Sequence, residues 1–95
     1  MINAQNKLIS DFTDLVATIP GVVSFAAISE QTPDAIIIND FADNEYQIEI
    51  VMAIIIDSSI SSKNIAKQIY EIINFRCKQA NLTLAKLDLL IQGVK

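Results

Sequence analysis

Between Glu45 and Ile56 the chain places an apolar residue at every second position: Tyr46, Ile48, Ile50, Met52, Ile54 and Ile56. Side chains alternate between the two faces of a strand, so these six share one face, and a period of two does not fit a helix. The opposite face changes character midway. It starts with Glu45, Gln47 and Glu49 and continues with Val51, Ala53 and Ile55. A strand that turns apolar on both faces needs cover on both, so the back of the sheet is expected to carry something over its second half.

The rest of the chain arranges itself around this strand. From Asn3 to Thr18 the residues Ala4, Leu8, Phe12, Leu15 and Ile19 recur at spacings of three and four, with Ile9 and Val16 on the flank. This predicts an amphipathic helix that Pro20-Gly21 stops. Val22 to Ile28 predicts a first strand and Ser29 to Asp34, with Pro33, a turn. Ala35 to Phe41 predicts a second strand, joined to the long one through Ala42-Asp43-Asn44 as a hairpin turn. After the polar loop Asp57 to Ser62, with Ser61 or Ser62 as N-cap, Asn64 to Ala80 predicts a second helix. Its stripe is Ile65, Ala66, Ile69, Ile72, Ile73, Cys77 and Ala80. Asn81 suits the left-handed residue that ends a helix, and Thr83 to Val94 predicts a last strand with Ala85, Leu87, Leu89 and Ile91 on its core face.

The order α-β-β-β-α-β predicts an α+β two-layer sandwich, one domain over residues 1–95, with both helices on one face of a mixed four-stranded sheet. The strand–helix–strand unit at the C-terminal end implies a right-handed crossover and parallel flanking strands.

Composition narrows the chemistry. There is no histidine, which removes a histidine general base and imidazole metal ligation. A net charge of −4 does not supply the cationic surface that nucleic acid requires. Hydrophobic residues make up 52% of the chain and the mean hydropathy is +0.39. No apolar run approaches the roughly 20 residues of a membrane span, so no direct span is expected and the excess points to a buried interface. The lone Cys77 and the opening Met1-Ile2-Asn3-Ala4-Gln5 suggest a cytoplasmic protein.

Candidate chemical groups are few. Asp11 and Asp14 read as solvent-facing charge, since two carboxylates without further oxygen ligands do not hold a cation. Asp40, Asp43 and Glu45 lack the glycine and oxygen spacing of a calcium loop. The serine-rich loop before Lys63 has no glycine through which a phosphate could approach the backbone, so it reads as an N-cap. Cys77 reads as a small core side chain. Arg76 falls on the apolar flank of its helix near Ile69, Ile73 and Ala80, and is expected at the border of the helix–sheet interface, its charge met by a carboxylate, a C-terminal carbonyl or solvent. No metal or cofactor site is predicted.

The helix leading into Ile19-Pro20-Gly21-Val22-Val23, the run Tyr46 to Ile56, Ile65-Ala66-Lys67-Gln68-Ile69 and the close Leu87-Asp88-Leu89-Leu90-Ile91-Gln92-Gly93-Val94 together resemble the alkaline-shock-protein family, the small envelope stress response proteins of Gram-positive bacteria. The likeness spans nearly the whole chain and rests on hydrophobic pattern. Asp57-Ser58-Ser59 stands where the family often has a glycine, Asn81 replaces a helix-ending glycine, and the charged tails of longer members are absent. The resemblance implies a non-enzymatic cytoplasmic protein that self-associates or docks at the membrane periphery through a protein partner, in envelope homeostasis. It carries no catalytic residues.

The expected interaction surface is the back of the sheet. Period-two geometry puts Ile37 of the second strand, Val51, Ala53 and Ile55 of the third and Leu90 of the last on that face, as a patch for homo-oligomer formation. The reading from another class is a small-molecule-sensing α+β domain, with the Asp57 to Lys63 loop and Arg76 as its only candidate ligand groups.

Overall fold

The computed structural model describes residues 2–41 and 44–95, and within these residues 6–40 and 46–95 with their side chains. The elements run α1 (Ile2–Ala17), β1 (Val22–Phe25), β2 (Ile36–Phe41), β3 (Asn44–Ile56), α2 (Ser62–Gln79) and β4 (Thr83–Val94). The predicted order and the mixed character of the sheet both hold: β1 and β2 run antiparallel to β3, and β4 runs parallel to it. The connection between β2 and β3, and with it Asp43 of the acidic cluster, lies outside the described residues.

β3 organises the sheet, as its length requires. β4 follows one edge of it from Gln47 to Ile56. β2 and β1 must therefore share the other edge, with β2 beside residues 44–52 and β1 beside residues 54–56. Their ends meet at one residue: the Ala53 carbonyl accepts from the Ala26 N–H at 3.1 Å, and the Ala53 N–H donates to the Ala35 carbonyl at 2.8 Å. β1 and β2 are thus one edge strand, interrupted by a loop that leaves and rejoins it opposite Ala53.

Both helices pack on one face, where Ile48, Ile50, Met52, Ile54 and Ile56 join Phe12 and Val16 of α1 and Ile65, Ile69, Ile73 and Cys77 of α2 in a single core. α1 lies against β1 and β2, and α2 lies beside α1 and against β4. Ser61 caps α2, its Oγ accepting from the Asn64 N–H at 3.3 Å. Asn81 follows the helix at φ 60°, the left-handed conformation expected of it.

Four core expectations need correction. Tyr46 is exposed rather than part of the core. In α1 the buried line runs Phe12, Val16, Ile19, which turns Leu15 toward α2 and leaves it half-buried. In β4 a bulge at Ala85 shifts the phase: Leu84 pairs with Ile48 and is buried, whereas Ala85 is exposed. Leu87 and Leu89 keep the core face, while Ile91 on the same face is 42% exposed. β1 also ends at Phe25 rather than Ile28, since the chain leaves the sheet edge at Ala26.

Candidate functional site

The face of the sheet away from the helices carries the predicted patch. Ile37 pairs with Val51, Val51 with Asp88, Ala53 with Leu90, and Ile55 with both Ser24 and Gly93. Ile37, Val51, Ile55 and Leu90 are half-buried, and none of them belongs to the helix-side core. A Cβ at Gly93 would stand 3.6 Å from the Ile55 Cγ1, an ordinary van der Waals contact.

Ala53 differs from its neighbours: its exposure is 0%, although it points away from the helices. Its cover is the chain's own loop between β1 and β2. That loop is folded on itself, with the Ile28 N–H donating to the Asp34 carbonyl at 3.1 Å and the Ser29 N–H donating to the Thr32 carbonyl at 3.0 Å. The Thr32 N–H also donates to the Ser29 Oγ at 3.0 Å. From β4, across β3, the Gln92 Nε2 donates to the Ile28 carbonyl at 2.8 Å and the Ala27 carbonyl at 3.3 Å. The helix side of β3 is filled, so a bond spanning it carries the loop over the back of the sheet. Ala53 therefore offers no free surface in the single chain, and the exposed part of the expected patch is Ile37, Val51, Ile55 and Leu90.

A second concavity, about 520 Å³, lies between the helices, with Leu15, Ile72 and Phe75 as its apolar lining. At its margin the Arg76 Nη2 and Nε both donate to the Asp11 Oδ2, at 2.8 and 3.3 Å. The guanidinium thus meets a carboxylate, as expected for Arg76, and the partner is an aspartate that sequence spacing assigned to solvent. Phe75, 62% exposed, was not among the sequence candidates; its one signal is an aromatic on the polar side of the α2 stripe.

The remaining candidates are structurally committed. The Asp57 Oδ1 accepts from the Ser59 N–H at 2.8 Å and the Ser59 Oγ at 2.7 Å, and these bonds hold its carboxyl below the usual value. A carboxylate stabilised in its charged form inside its own turn is a poor general base. The Cys77 thiol is buried, and burial pushes its pKa up, away from nucleophilic character. Among the described residues no group of three His, Cys, Asp or Glu side chains could hold a metal ion, and no helix is long and apolar enough to cross a membrane.

These features define a two-layer α+β sandwich whose distinctive surface is a half-covered sheet. No family model, no curated protein and no solved structure matches the chain.

Proposed function

We propose that the chain is a non-catalytic module that self-associates through the outer face of its sheet. The observation that carries this reading is the state of Ile37, Val51, Ile55 and Leu90: aligned across three strands, apolar, and half-buried where the loop seals only Ala53. Fully burying a large aliphatic is worth about 1.5–3 kcal/mol, and at most about a third of that is still available at each of these positions. Two copies on a two-fold axis then bring at most about 4–8 kcal/mol against an association cost of about 4–15 kcal/mol. The two terms are of similar size, so the contact is a weak, concentration-dependent one, and a two-fold contact uses one patch twice.

The resemblance to alkaline-shock proteins supports the same direction and adds a setting: envelope homeostasis in the cytoplasm, at the membrane periphery through a protein partner. Commitment of Asp57 to its turn and of Asp11 to Arg76 supports the absence of catalysis.

Sedimentation velocity over a concentration series tests the proposal. The wild-type chain assembles as concentration rises. Val51→Glu and Ile55→Lys lower the assembly mass and leave the circular dichroism unchanged. A wild-type monomer at every concentration, or variants that assemble as the wild type does, would refute it.

A further inference from the structure

The two edges of the sheet are built differently. The β1/β2 edge is broken by the loop over Ala53, bulged between Asp40 and Phe41, and flanked by α1. The opposite edge is β4, 12 residues long, and among the described residues nothing pairs with its outer side. An uncovered strand of this length presents a row of N–H and C=O groups that templates another strand. Its helix-side face is under-covered as well: Leu87 and Leu89 are half-buried, whereas Ile50 and Met52 beside them on β3 are fully buried, and Ile91 and Val94 are 42% and 58% exposed.

We infer that β4 pairs antiparallel with β4 of a second copy, with the two-fold axis at Leu87. The charge pattern selects both occupant and register. Lys86 and Asp88 lie two apart on the outer face, opposite Glu49 and Val51 of β3, and their own contact is a loose 3.6 Å. In an antiparallel pair across a two-fold axis, directly opposed residues share a face, so the residue numbers of each pair sum to an even constant. With the axis at Leu87, each Lys86 opposes the partner's Asp88, making two opposite-charge pairs. An axis at Asp88 would oppose two aspartates. The Leu87 side chains then meet each other on the helix side, and each Leu89 covers the partner's Ala85. The pairing runs along the edge of the sheet, whereas the outer-face contact uses its broad side.

Cysteine crosslinking in the Ile55→Lys background tests it with the outer-face contact removed, because Ile55 pairs with Gly93, away from Lys86 and Asp88. Leu87→Cys opposes itself and is expected to give a disulfide-linked dimer on mild oxidation. Leu89→Cys, four residues out of register with its own copy, gives none. Lys86→Glu alone lowers the dimer fraction at least fivefold, and Lys86→Glu with Asp88→Lys restores it, since opposed charges are regained with their signs exchanged. Absence of the Leu87→Cys crosslink, a crosslink at Leu89→Cys instead, or failure of the double variant to restore pairing overturns the inference. A Leu87→Cys crosslink formed while Ile55→Lys has no effect on the mass of the otherwise unaltered chain would refute the outer-face reading and leave this one standing.

Discussion

Replacing Gly21 by alanine tests how α1, the edge strand and α2 are locked together. Gly21 sits at φ +100°, where an L side chain is strained, and holding a non-glycine residue in such a region costs about 1–3 kcal/mol. A Cβ would also lie 2.6 Å from the Ile65 Cδ1, 2.8 Å from its Cγ1 and 3.2 Å from the Ile60 Cγ2. Ile65 is 1% exposed within the core, so its side chain has no free space to retreat into, and overpacking of this kind costs about 1–3 kcal/mol more. The Gly21 carbonyl further accepts the Asp57 N–H at 2.8 Å, so a shift of the turn disturbs the end of β3 as well. Gly21→Ala is therefore expected to lose about 2–6 kcal/mol in urea denaturation followed by circular dichroism. In a chain this size each kcal/mol moves Tm by about 4–8 °C. Ile65→Ala removes both of the nearest atoms, so the double variant should be less destabilised than the two single losses combined, by about 1–3 kcal/mol. A Gly21→Ala loss under about 0.5 kcal/mol would show that the turn relaxes freely and would refute the argument.

Two further outcomes follow from the polar groups. Arg76 and Asp11 are 22% and 32% exposed, so their pair is solvent-screened, and Arg76→Met should cost no more than about 1 kcal/mol in the same denaturation assay; a loss of several kcal/mol would indicate a buried network instead. The Asp57 carboxyl is held below 3.8 by the Ser59 bonds, so its contribution is fully present above that value and is lost as pH falls through the lower folded value. Asp57→Asn should remove that acid-dependent component from stability curves measured between pH 2 and 5 while keeping an acceptor for Ser59, and an unchanged curve would contradict the assignment.

The sequence made some of this architecture legible and hid the rest for physical reasons. The period of β3, the Pro20-Gly21 stop, the Ser61 cap and the left-handed Asn81 are local, and local chemistry decides them. The phase of β4 was misjudged at Ala85 because a bulge is set by the partner strand rather than by alternation. Arg76 could be placed on an apolar flank by helical spacing, but its partner Asp11 is 65 residues away and depends on how α1 meets α2. The back of the sheet was the hardest case. Its apolar half asked for cover, and Val51, Ile55, Ile37 and Leu90 lie on that side, but nothing local says that Ala26 and Ala35 return to the same β3 residue. The small side chain of Ala53, set between Val51 and Ile55, was the one available hint that backbone passes close over it.

That cover makes a last prediction possible. The loop is tied to its own ends by turn bonds, but only Gln92 ties it to the far strand, through one amide nitrogen shared between the Ala27 and Ile28 carbonyls. These bonds are exposed to solvent, so their net worth is about 1 kcal/mol rather than the several expected of a buried network. Gln92→Ala deletes them without changing the β4 backbone or any core contact. The native state then loses about 1 kcal/mol relative to every state in which the loop has lifted, and the population of lifted states rises about fivefold. The reporter is the Ile28 amide: its bond to the Asp34 carbonyl is internal to the loop, so it reads the lifted states in which the loop also opens. Its hydrogen exchange should accelerate by that factor, and protease cleavage between residues 27 and 34 should accelerate with it. If exchange at Ile28, cleavage and denaturation all stay at wild-type values, the Gln92 bonds contribute nothing, and the loop is held over Ala53 by its own turn and its apolar contacts alone.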